Sequence, residues 1–108
     1  MVFGCQTTMV SSRPVSGVKI DKGTAINIQC LTYEAKMLEN RLLQGQAQVK
    51  NCSLSLRQVR YKAEWYSAAG ALLGGSHWES RFIQPGETVF IAVIAHDAMA
   101  ESIQMYLK

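Results

Sequence analysis

Two histidines, a serine beside paired glycines and an aspartate hold whatever nucleophilic chemistry this chain could perform. Ser76, His96 and Asp97 supply the residue types of a hydrolytic triad. The run Gly74-Gly75-Ser76-His77-Trp78, however, lacks the second flanking glycine that a nucleophile elbow needs. Neither His77 nor His96 has another ligand at metal spacing, and no HxxxH or CxxC occurs. The acidic residues show no pairing that suggests a general acid and base. Both histidines are therefore read as surface or loop residues. No catalytic residue, metal ligand or cofactor is assigned, and a small hydrolase using Ser76, His96 and Asp97 remains only as an alternative.

Cys5 carries a different chemistry. Val2-Phe3-Gly4-Cys5-Gln6 places an apolar pair and a small residue directly before a cysteine. This order looks like the end of a bacterial lipoprotein signal, with the cut after Gly4 and the lipid on Cys5. Stable anchoring takes more than one acyl chain, as such a cysteine carries. Gln6, where an aspartate would hold the protein back, points to the periplasmic face of the outer membrane. A secretory signal needs an apolar stretch of about 7–15 residues before its cut. Only Met1 to Gly4 precede Cys5, so most of a signal would lie outside this sequence. The plain alternative is an N-terminus with an incidental cysteine.

With Cys5 lipidated, Cys30 and Cys52 remain. A bridge between them would close a loop of about 22 residues, worth about 3 kcal/mol in the chain-entropy model. The alternation opposes it, because Cys30 falls in phase with Ile26 and Ile28 while Cys52 falls with Gln48 and Lys50. A buried free thiol at Cys30 is the expectation. Trp65 and Trp78 could stack on a sugar, which keeps a glycan-binding module as an alternative. Trp65 shares its face with Tyr61 and Ala63, and Trp78 aligns with Phe82, so both are expected in the core. Tyr66 is the aromatic expected at the surface.

These residues must be positioned by β-structure. Gln6 to Pro14 is polar and ends in proline, as a leash does. Residues 1–15 are accordingly assigned to the lipid-signal remnant and leash, and 16–108 to one folded domain. Beyond the leash come short apolar runs broken by turn signals at intervals of roughly 8–12 residues, the pattern of a sandwich or barrel. Ile26, Ile28 and Cys30 alternate; Tyr33 to Leu43 reads as loop plus strand, with a short helix as the other option. Val59, Tyr61, Ala63 and Trp65 share one face of the clearest strand, and Arg60, Lys62, Glu64 and Tyr66 the other. Gln84-Pro85-Gly86-Glu87 is a strong turn. Thr88 to Ala95 is apolar on both faces, as expected of a central strand covered on both sides. Ile103, Met105 and Leu107 alternate with Gln104 and Tyr106 in the last strand.

The stretch Val59-Arg60-Tyr61-Lys62-Ala63-Glu64-Trp65-Tyr66-Ser67-Ala68-Ala69-Gly70 resembles the YcfL-like family of bacterial lipoproteins, whose function is uncharacterised. Further matches follow in order: Val49-Lys50-Asn51, Pro85-Gly86-Glu87 and Ile103-Gln104-Met105-Tyr106-Leu107. The resemblance covers roughly residues 25–108 and includes the early cysteine. Ser67 stands where many relatives have aspartate. The resemblance implies an immunoglobulin-like sandwich on a lipid anchor, and no reaction.

Composition bounds the rest. At 108 residues, 48% hydrophobic and 18% charged, the chain suits one folded domain. No apolar run approaches the roughly 18 residues of a membrane span. A net charge of +3 with scattered Lys and Arg offers no basic patch or reading element for nucleic acid. The expectation is therefore an all-β antiparallel sandwich of about seven strands, immunoglobulin-like as the resemblance implies, without catalysis. It would act as an interaction or accessory module of the envelope, lipid-anchored at Cys5 and bound to an envelope protein partner. Tyr66, Gln104 and Tyr106 are the candidate partner contacts. The last strand, Glu101 to Lys108, is expected to end freely and to offer a route to a homodimer.

Overall fold

Alternation of apolar and polar residues, read strand by strand, builds two sheets that bury one face each. The computed structural model describes residues 17–21 and 23–108, and the leash and Cys5 lie outside the described residues. Eight strands follow in order: β1 (Gly17–Ile20), β2 (Ile28–Met37), β3 (Leu43–Asn51), β4 (Arg57–Tyr66), β5 (Leu72–Gly75), β6 (Glu79–Ile83), β7 (Thr88–Ile94) and β8 (Ser102–Leu107). The larger sheet has the order β1-β8-β4-β5, with β6 also pairing β4; the smaller has the order β2-β3-β7. The protein is an all-β sandwich, with eight strands among the described residues where the sequence led to about seven.

The core lies where the inward faces meet. Val59, Ala63 and Trp65 of β4 and Ile103, Met105 and Leu107 of β8 are buried against Ala47 and Val49 of β3 and Ile91 and Val93 of β7. The partners on the outward face of β4, Arg60, Lys62, Glu64 and Tyr66, stay exposed or half-buried, as the period of two requires. Both of the connections β3→β4 and β7→β8 pass from one sheet to the other. Polar contacts tie the ends together. Asn51, fully buried, donates from Nδ2 to the carbonyls of Ser55 at 2.9 Å and Ile83 at 2.8 Å, and its Oδ1 accepts from the Ser53 N–H at 2.9 Å.

Several local expectations change. Ile26 is not in a strand but in the turn before β2, half exposed, with Asn27 in the left-handed region at φ 59°. Tyr33 to Met37 continues β2, and the hairpin that follows turns at Arg41, φ 65°. A register shift between Cys30 and Thr32 is a bulge that moves the inward phase from even to odd positions, so Tyr33 is buried. Trp78 is 37% exposed and Phe82 61%, so neither belongs to the core. They sit just before and within β6, whose overhang leaves only Ile83 buried.

Two strand placements also change. β7 pairs only with β3 and is therefore an edge of the smaller sheet, not a central strand. Its outer residues Phe90 and Ala92 are exposed. β8 is the reverse case: it is hydrogen-bonded to β1 in parallel and to β4 in antiparallel sense. The expected free last strand is thus interior. Strand addition at β8 is closed to a second copy because both of its edges are already paired. Cys52 is a free, exposed thiol, so it forms no bridge with Cys30. Cys30 is half-buried against the core and its sulfur is bonded rather than the expected free thiol.

Candidate functional site

The outer face of the β4–β8 pair gathers the three candidate contact residues. Antiparallel register sets Lys62 opposite Tyr106, Glu64 opposite Gln104 and Tyr66 opposite Ser102. Side chains opposite one another in such a pair share a face and lie within reach of their diagonal neighbours. Tyr66, Gln104 and Tyr106 are all half-buried there. The Tyr66 hydroxyl donates to Oε1 of Glu64 at 3.3 Å. Burial first, then the neighbouring Tyr66 hydroxyl and Glu64 carboxylate, raise the Tyr106 phenol well above the ordinary tyrosine range. Tyr66 is also raised, chiefly by burial, against a lowering contribution from its contact with Tyr106.

Trp78 extends this face, which sequence reasoning missed by assigning it to the core. The Lys108 ammonium lies 4.1 Å from the Trp78 ring centroid and the Lys62 ammonium 5.1 Å; Lys62 is also 5.5 Å from the Tyr106 ring. Cations held over aromatic faces at such distances are mutually attractive. The result is one surface of two ammonium groups, two phenols, an indole, a carboxylate and an amide. It can accept carboxylates and hydrogen-bond donors at once.

A second feature is a shallow cleft of about 580 Å³ between β5–β6 and the open edge of β7. Trp65, Ser76, His77, Glu79 and His96 line it together with Ala92 to Ile94. Trp65 is buried to 6% exposure and meets His96 edge-on, with ring centroids 6.3 Å apart. Gly74 makes this possible: a Cβ there would stand 3.0 Å from the indole Nε1.

The cleft brings Ser76 and His96 to one place but does not complete a triad. Ser76 Oγ accepts the Ala63 N–H at 2.9 Å. Asp97 does not line the cleft, and its Oδ1 instead accepts the Met99 N–H at 2.8 Å, capping the loop before β8. Among the described residues no carboxylate is thus seen orienting His96, the role the third member of a triad must fill. Among the described residues no group of three or more His, Cys, Asp or Glu is placed to hold a metal ion.

Comparison with known proteins follows the fold. The family model described as "Protein of unknown function (DUF1425)" matches residues 18–108. No curated protein matches the sequence. Among solved structures, the chain is similar to Campylobacter jejuni cj0090, with a TM-score of 0.71 at 18% identity over 84% of this chain and 95% of that one. It is also similar to a DUF1425 family member from Shewanella sp. PV-4, with a TM-score of 0.68 at 18% identity over 75% of this chain and 76% of that one. At this identity the likeness concerns the fold.

Proposed function

The chain belongs to the DUF1425 family of proteins of unknown function, and from that premise we propose a non-catalytic interaction module of the bacterial cell envelope. In this reading the protein is of the YcfL-like lipoprotein kind. A lipid on Cys5, which requires that this sulfur take no part in the bond at Cys30, holds it at the periplasmic face of the outer membrane, and residues 6–15 are the leash. The domain is read as immunoglobulin-like because β3→β4 and β7→β8 each cross between sheets, and because the buried Trp65 occupies the place such a sandwich reserves for tryptophan.

One observation carries the reading: Tyr66, Gln104 and Tyr106, separated by some forty residues in sequence, converge on one face beside Trp78, Lys62 and Lys108. Aromatic side chains gathered on a flat sheet face are what a protein interface uses as anchors. The partner is an envelope protein that meets this face with carboxylates and apolar surface.

The test has two arms. Labelling with a fatty-acid probe should mark the full-length protein and not its Cys5→Ala variant; an unlabelled wild type removes the anchor. Crosslinked pull-down from envelope extracts should recover a partner that the Tyr66→Ala/Tyr106→Ala double variant loses. Equal recovery by both proteins would refute the face.

A second reading, glycan binding, draws on the exposure of Trp78. Against it, two ammonium groups already lie over the indole ring on which a sugar would stack.

A further inference from the structure

Counted in columns, the two sheets are unequal. β1 packs on β2 and β8 on β3, so the orders β1-β8-β4 and β2-β3-β7 place β7 across from β4. The larger sheet continues for one more column. β6 pairs with the first half of β4 and β5 with its last residues, so the two share that column. Among the described residues no strand lies opposite them. The cleft occupies this place: β7 is its side, Gly75, Ser76 and Glu79 are its roof, and Trp65 is its inner wall.

The side wall is made of backbone groups that seek partners. Odd residues around β7 turn their backbone toward β3, since Glu87 O accepts the Asn51 N–H at 3.1 Å and the Ala95 N–H reaches Leu43 O at 2.8 Å. The N–H and C=O groups of the even residues Phe90, Ala92 and Ile94 therefore point away from β3, into the open column. Natural edges are blunted by charge, proline or bulges. Thr88 to Ile94 has none of these. Its one guard is Arg81, whose Nη1 donates to the Phe90 carbonyl at 2.9 Å. No carboxylate among the described residues pairs with that guanidinium.

We propose that the open column is an acceptor site for one extended peptide segment of a partner protein, apolar and β-branched, with an acidic side chain at the end that meets Arg81. The segment adds a fourth strand to the smaller sheet on β7, as edge recognition of peptides does. Alternate side chains face Trp65 and His96 inside, and the others continue the exposed row of Phe90 and Ala92. Its N–H takes over the Phe90 carbonyl, and Arg81, released, pairs with the acidic side chain. A second copy of this chain does not fit. Pairing β7 with β7 about a two-fold axis would bring the partner's larger sheet into the space that β5 and β6 already fill. A single strand slides beneath them. This inference rests on the interaction-module reading, but on neither the lipid nor the β4–β8 face.

The test is a library of displayed random seven-residue peptides selected on the full 108-residue chain, and in parallel on Ala92→Pro. The Ala92 N–H faces away from β3, so proline there removes an edge donor without breaking the existing ladder. Selection should enrich apolar β-branched sequences with Asp or Glu at one fixed end. Enrichment should fall about tenfold or more on Ala92→Pro of unchanged melting temperature, and Arg81→Ala should lose the acidic preference. In the unmodified chain, a recovered peptide should slow amide hydrogen exchange at Ala92 and Ile94, which keeps the test intact if the proline variant misfolds. No enrichment, equal enrichment on folded Ala92→Pro, or protection on the β4–β8 face instead would overturn the site. A pulled-down partner lost by the Tyr66/Tyr106 variant but indifferent to Ala92→Pro would overturn it too, while leaving the outer-face reading in place.

Discussion

The hydroxyl of Tyr33 donates to the carbonyl of Ile103 at 2.9 Å, across the buried interior from β2 to β8. Gly45 makes room for it: a Cβ there would stand 3.0 Å from the Tyr33 hydroxyl and 3.1 Å from Ile103 Cγ2. The two sheets are thereby joined by a buried polar contact, as they also are where Asn51 of β3 donates to the Ile83 carbonyl of β6. Tyr33→Phe keeps the ring and removes the donor, and should cost about 1–2 kcal/mol in urea unfolding. Gly45→Ala should cost about 1–3 kcal/mol by overpacking the same point. The two effects should be non-additive in the double variant, because both act on one contact.

Asn51 should be the most sensitive polar position. Its side chain holds Ser53, Ser55 and Ile83, while its backbone pairs with Glu87 and Gly86 of the following turn. Asn51→Ala removes the side-chain donor to the buried Ile83 carbonyl and the acceptor of the Ser53 N–H, while the Ser55 carbonyl keeps the Ser53 hydroxyl at 2.8 Å. A loss of about 2–3 kcal/mol is expected by denaturant titration. Gln84-Gly86 should show faster amide exchange in the variant.

Alkaline pH should loosen the outer face. The Tyr106 phenol has its folded pKa raised by burial, the Tyr66 hydroxyl and Glu64, whereas an unfolded tyrosine titrates near about 10. The folded state therefore binds this proton more tightly. Its contribution is complete below the unfolded value and is lost as pH rises from there through the folded value. Melting temperature should fall above pH ~10, and Tyr106→Phe should flatten that fall. An identical alkaline decline in both proteins would contradict the assignment.

The two tryptophans should separate cleanly. Trp65, 6% exposed, fills the core under Gly74, so Trp65→Ala should cost about 3–5 kcal/mol. Trp78 is exposed and held by Lys62 and Lys108. Trp78→Ala should therefore cost less than about 1 kcal/mol in the unfolding midpoint. It should still blue- or red-shift no buried fluorescence, since the remaining emission is that of Trp65.

The sequence by itself determined the all-β class, the faces of β4 and β8, and the turn at Gln84-Glu87. Each of these follows from local chemistry: a period of two, glycine tolerating positive φ at Gly86, and proline presetting its own φ. What lay beyond it was every property that depends on which strand lies beside which. Thr88 to Ile94 is apolar on both faces and reads as central, yet it stands at an edge, because exposure there is decided by a missing neighbour and not by its own residues. The last strand reads as free and is enclosed by β1 and β4 for the same reason. The bulge at Cys30–Thr32, which turns Tyr33 inward, leaves no mark on local composition. Tyr66, Gln104 and Tyr106 could be named one by one from their alternation. Only the antiparallel register of β4 on β8 made them one surface, because register is fixed by packing across the sandwich rather than along the chain.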